Sequence, residues 1–271
     1  MTAPAPALGE ILDDASALVA RVATPWVGLL WLTAAPLRLA QAHFAARLAE
    51  LGDEAGAYGR HLGDLALVTA LLFLLSLWGR AAFARACTRD LGAGDEAGRE
   101  PLRVPAASFA AYAGAALAVE AAFYATALAV VTVPALALVA GLLAATSPLV
   151  ERPSLLRPFS VVSASAGRAG PLLGLVLVFG AAFLLAALNL LVLVQAGLWL
   201  AGGVAGFDVA RWQGVLGAAN PRLLLAVAAG AWLLLEPWWL AALVVYVHSL
   251  RARASGEDLR LWFERLRSAG A

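Results

Sequence analysis

The chain has 271 residues, 62% of them hydrophobic and 14% charged, with a mean hydropathy of +0.83. Soluble chains hold about half apolar and about a quarter charged residues, so the solvent for much of this surface is lipid. The formal net charge of +1 excludes the basic field of a nucleic-acid binder, and a single cysteine, Cys87, excludes an internal disulfide.

These limits predict an all-α polytopic membrane bundle, one integral membrane domain over 1–271 with about six spans of roughly 20 residues each and amphipathic helices at both ends. All 19 basic residues are arginine, and with the abundance of Ala, Leu, Gly and Val this matches the composition of a high-GC bacterial genome. The segment before the first apolar run carries Glu10, Asp13 and Asp14 and no basic residue until Arg21, so a cleaved signal peptide is not expected.

In chain order, residues 9–22 read as an amphipathic helix lying on the inner membrane face, with Ile11, Leu12, Ala15, Leu18 and Val19 on one side and Glu10, Asp13 and Asp14 on the other. Span one, 22–39, contains Pro25 and Pro36, which membrane helices tolerate when neighbours satisfy the freed carbonyls. Span two is 62–79, with Asp64 near its outer end and Arg80 able to snorkel. The apolar stretch that follows is too long for one helix, and Val131-Thr132-Val133-Pro134 divides it into a hairpin of spans at 106–130 and 134–150.

Span five, 171–200, opens on a proline, where the missing donor costs nothing, and span six is 222–247. Between them, 207–219 reads as an interfacial helix with Trp212, capped by Asp208. A C-terminal amphipathic helix, 256–268, carries the stripe Leu259, Trp262, Phe263 and Leu266, with Arg260, Arg265 and Arg267 on its other faces. Pressed on anionic lipid it is an anchor, and turned toward another protein it is a docking surface.

Arginine retention sets orientation. With the N-terminus inside, fourteen arginines fall on the cytoplasmic side (Arg21, the 80–103 group, Arg152, Arg157, Arg168 and those from Arg251 onward) and five outside (Arg38, Arg47, Arg60, Arg211 and Arg222). Both termini are expected in the cytoplasm of a bacterial inner membrane, with the 80–103 loop as the largest cytoplasmic platform.

Ionisable groups inside spans are costly and each needs a reason. Glu120 and Glu236 lie near the middles of spans three and six, and Asn189 of span five adds a hydrogen-bonding group at similar depth. Converging, they make a proton- or cation-linked site, with Glu236-Pro237 marking a kink that exposes a carbonyl. Held neutral by desolvation, they instead hydrogen-bond between helices and fix packing. The second reading is preferred, because no repeat of broken helices accompanies the pair.

Trp199 and Trp212 fit an external aromatic belt, while Trp238 and Trp239 lie deeper and fit helix packing. Gly167, Gly170 and Gly174, then Gly202, Gly203 and Gly206, signal close approach or flexible span ends. Ser160, Ser163 and Ser165 have no companion histidine. His43 and His61 share the external side, a pairing more often polar surface than metal site. No cofactor, resident metal or catalytic residue is expected, and an enzyme is disfavoured.

Three stretches carry a family likeness. Leu8-Gly9-Glu10-Ile11-Leu12-Asp13-Asp14-Ala15 before an apolar span, Ser147-Pro148-Leu149-Val150-Glu151-Arg152-Pro153 running on to Ser163, and Pro237, Tyr246 and Leu250-Arg251-Ala252-Arg253-Ala254-Ser255-Gly256-Glu257-Asp258-Leu259 stand in that order. Together they resemble a bacterial membrane-domain family named after the membrane region of certain glycerophosphodiester phosphodiesterases. The resemblance implies a polytopic layout and no catalytic residue, since phosphodiester hydrolysis belongs to a separate domain.

Without the resemblance, Arg251 and Arg253 sit at the cytoplasmic lipid boundary, Gly256 lets the chain turn and Asp258 favours the following helix start. The expected function is a non-enzymatic membrane scaffold or complex subunit that contacts partner proteins through cytoplasmic loops and terminal helices, Arg251, Arg253, Trp262, Phe263 and Arg265 among them. The alternative is a transporter or channel component using Glu120, Asn189 and Glu236.

Overall fold

Alanine and leucine are strong helix formers and dominate the apolar runs. The computed structural model describes residues 7–51, 59–91, 101–126, 132–149 and 169–255. Among these there is no strand. The α-helices are α1 (Leu8–Leu51), α2 (Gly59–Asp90), α3 (Ala106–Thr126), α4 (Thr132–Thr146), α5 (Ala169–Gly203), α6 (Ala210–Leu216) and α7 (Pro221–Ser255), with a 3-10 turn at Ser147–Leu149.

Four stretches are long and apolar enough to cross a membrane: Gly63–Asp90, Ala106–Phe123, Gly170–Gly203 and Pro221–Ala252. A fifth arises if Leu8–Val22 and Pro25–Phe44 form one broken span. Pro25 opens the second segment, where a proline's missing donor and ring clash disfavour a straight helix. The six expected spans are therefore not all recovered. Among the described residues α4 is the shorter apolar helix, 15 residues or about 22 Å against a hydrocarbon core of about 30 Å.

Two compact units divide the chain, and the long helices contribute to both. Unit 1 comprises 1–27, 80–176 and 238–271, and unit 2 comprises 28–79 and 177–237. The division follows the arginine count. Of the arginines assigned inside, Arg21, Arg80, Arg85, Arg89, Arg103, Arg251 and Arg253 are described and all belong to unit 1, whereas the five assigned outside belong to unit 2.

In unit 1 the N-terminal amphipathic helix is the opening of α1. Its start is held by Ala7 N, which donates to Glu10 Oε2 at 3.0 Å, the backward half of a capping box. Ile11, Ala15 and Leu18 are buried while Glu10, Asp13 and Asp14 are exposed. The stripe was expected to press on lipid, but protein covers it. Arg21 Nε meets Asp90 Oδ2 at 2.8 Å, tying this segment to the end of α2.

The 80–103 platform also needs correction, because α2 continues to Asp90. Ala81, Ala82, Phe83, Ala84 and Cys87 are fully buried there. Arg80 looks like a span boundary, yet the alanine-rich sequence after it holds no helix breaker. The α3–α4 hairpin lies wholly in unit 1, and a Cβ at Gly141 of α4 would stand against Leu243 Cδ1 and 2.6 Å from Trp239 Nε1, so α4 and α7 touch nearly backbone to side chain.

In unit 2, α1 and α2 approach as closely at Thr33 and Gly79, where an added Cβ would come within 2.9 Å of Thr33 Cβ. A hydrogen-bonded connection joins α5 to α7. Gly206 takes a positive φ of 70°, which suits glycine. Asp208 Oδ1 accepts from Ala210 N at 3.0 Å, so the expected cap makes an Asx-type bond at the start of α6. Asn220 donates to Gly214 O and Val215 O and accepts from Arg222 N at 2.9 Å.

Candidate intramembrane polar site

The three polar residues singled out from the sequence occupy different environments. Glu120 is half-buried on α3 in unit 1, Glu236 is 2% exposed on α7 in unit 2, and Asn189 is exposed on α5 in unit 2. Convergence of all three on one interior therefore fails for Asn189. The reason is helical phase. Leu190 faces α7, 3.4 Å from a Cβ placed on Gly230, and Asn189 points about 100° away around the axis.

Pro237 was expected to kink α7 and leave a carbonyl open to an ion. The helix runs through Pro237 from Pro221 to Ser255. A proline removes the bond to the carbonyl four residues earlier, here Leu233. Leu233 O accepts from the indole Nε1 of Trp31 on α1 at 2.7 Å. The freed carbonyl thus joins two helices. Sequence reasoning supplied the acceptor but missed Trp31, a potential donor near the middle of span one.

Buried hydroxyls behave in the same structural way. Thr33 Oγ1 donates to the Leu29 and Leu30 carbonyls, Ser76 Oγ to Phe73 O, Thr88 Oγ1 to Ala84 O and Thr146 Oγ1 to Leu142 O, all within their own helices. Such back-bonding hides a hydroxyl from hydrocarbon and uses its proton locally. Gln195 Nε2, another group missed from sequence, donates to Leu216 O at 2.7 Å and fixes α6 against α5.

At the surface, Trp199 and Trp212 are exposed, Trp238 is partly exposed and Trp239 is buried. Arg251 is exposed on the last turns of α7, which ends at Ser255, just before Gly256. The side chain of Arg253, together with Trp262, Phe263, Arg265 and the helix expected at 256–268, lies outside the described residues, as does the side chain of His61.

These features define an all-helical, multi-pass membrane protein whose intramembrane polar groups include several that serve packing. No protein-family model, curated protein or solved structure matches the chain.

Proposed function

We propose that this protein is a non-enzymatic scaffold or subunit of a complex in a bacterial inner membrane, with both termini cytoplasmic, engaging partner proteins through its cytoplasmic loops and terminal helices. The observation that carries this reading is the bond from Trp31 to Leu233 O, which occupies the carbonyl a transport site would have used. The back-bonded hydroxyls agree with it. The orientation draws support from the grouping of the described inside-assigned arginines in unit 1.

A second reading, a transporter or channel component, is kept alive by Glu236, a carboxyl that is 2% exposed on a membrane-spanning helix. Purification from native membranes separates the two. On the scaffold reading a stoichiometric complex survives Glu120→Gln and Glu236→Gln but is lost in the triple variant Trp262→Ala, Phe263→Ala, Arg265→Ala. Proton-coupled flux through the isolated protein in liposomes, abolished by Glu236→Gln, would overturn it.

A further inference from the structure

Helix α5 is the least covered of the candidate spans, with 6% of its apolar stretch buried. Its middle carries Asn189, exposed and making no side-chain hydrogen bond among the described residues. Hydrocarbon offers a carboxamide nothing to bond, so the group calls for a partner, and none of the described residues supplies one. Gln195, further along the helix, meets the same demand internally through Leu216 O.

The residues around Asn189 have a pattern. Leu185, Asn189, Val192, Ala196, Trp199 and Gly203 are all exposed and follow one another at alternating intervals of four and three. That 3.5-residue period belongs to the seam of a left-handed helix pair, and a lone asparagine on such a seam fixes register and partner number. The seam runs for about 27 Å, close to the hydrocarbon thickness. Ala196 and Gly203 are small enough for close approach, the Trp199 indole lying 3.9 Å from a Cβ placed on Gly203.

Self-complementarity decides the occupant. A carboxamide both donates and accepts, so asparagine pairs with asparagine. Two copies inserted in the same direction are related by a two-fold axis along the membrane normal, which makes their α5 helices parallel and brings equal depths together. We propose that this face of α5 is the interface of a parallel homodimer in which Asn189 of one copy hydrogen-bonds Asn189 of the other within the membrane. The surface differs from the cytoplasmic contacts proposed above.

Cys87 is the sole cysteine, so Cys87→Ala supplies a background for single-cysteine scanning. Purified protein in dilute phosphatidylethanolamine and phosphatidylglycerol vesicles should form disulfide-linked dimers on oxidation from Leu185→Cys, Val192→Cys and Ala196→Cys. Leu184→Cys, exposed but off the seam, should not. In energy-transfer dilution measurements, Asn189→Leu should weaken association by about 5- to 30-fold, while Asn189→Gln retains most of it. An unchanged melting temperature of the leucine variant would show that the protomer is intact.

Equal cross-linking at Leu184→Cys would overturn the proposal, as would a dimer indifferent to Asn189→Leu. So would a purified chain that stays monomeric while the seam cysteines, in native membranes, link only to a different polypeptide.

Discussion

Helices α5 and α7 are equal in length at 35 residues, yet 6% of the apolar stretch of one is buried against 39% of the other. The more apolar helix, α5, is the one left outside. Lipid tails solvate leucine as well as protein does, so hydropathy commits a helix to the membrane without drawing it into the bundle. What draws α7 inward is shape and polarity. Ala241 and Ala242 allow close approach, Trp239 and Tyr246 fill the space around them, and Pro237 frees a carbonyl that Trp31 bonds.

The largest test of this contrast is a pair of identical truncations, followed by unfolding in mixed micelles. Leu243→Ala on α7, where the side chain is fully buried, should cost about 2–5 kcal/mol through lost contacts and a residual cavity. Leu188→Ala on α5, 57% exposed, should stay within about 0.5 kcal/mol. Similar losses would mean that a partner or another copy covers α5 even in micelles.

A smaller effect isolates the proline. Trp31→Phe removes the donor to Leu233 O and should cost about 0.5–1.5 kcal/mol. With Pro237→Ala already present, residue 237 regains an N–H for that carbonyl, and the same substitution should cost much less. An undiminished penalty would assign the loss to indole packing.

The smallest effect lies at the surface of unit 1. Arg21→Ala removes the partner of Asp90 from a largely exposed pair and should cost no more than about 1 kcal/mol. Added salt should erase the difference from the unmodified protein, since screening already weakens the intact pair. A salt-independent loss would instead point to packing of the arginine stem.

Much of this fold was legible in sequence because composition, length and proline position act locally. The span expected at 171–200 and the α5 that begins at Ala169 nearly coincide, and the stripe of Ile11, Ala15 and Leu18 is an amphipathic face as read. What covers that face was not legible, because a stripe shows only that something apolar meets it. The continuation of α2 past Arg80 was missed because a charge after an apolar run resembles a membrane boundary. In the candidate site, facing was not readable. A helix apolar on every side has no phase, so nothing in sequence distinguished the outward Asn189 from the inward Leu190.

The connection between α5 and α7 is a knot of short-range bonds rather than a slack linker. Gly206 turns it, Asp208 starts α6, Gln195 holds Leu216, and Asn220 closes one helix while opening the next. It therefore presents an antibody fragment with a conformational epitope on which exposed Phe207 and Trp212 are the prominent features. A binder raised to it would recognise folded chain alone, and staining intact against permeabilised cells would report folding and sidedness in a single measurement.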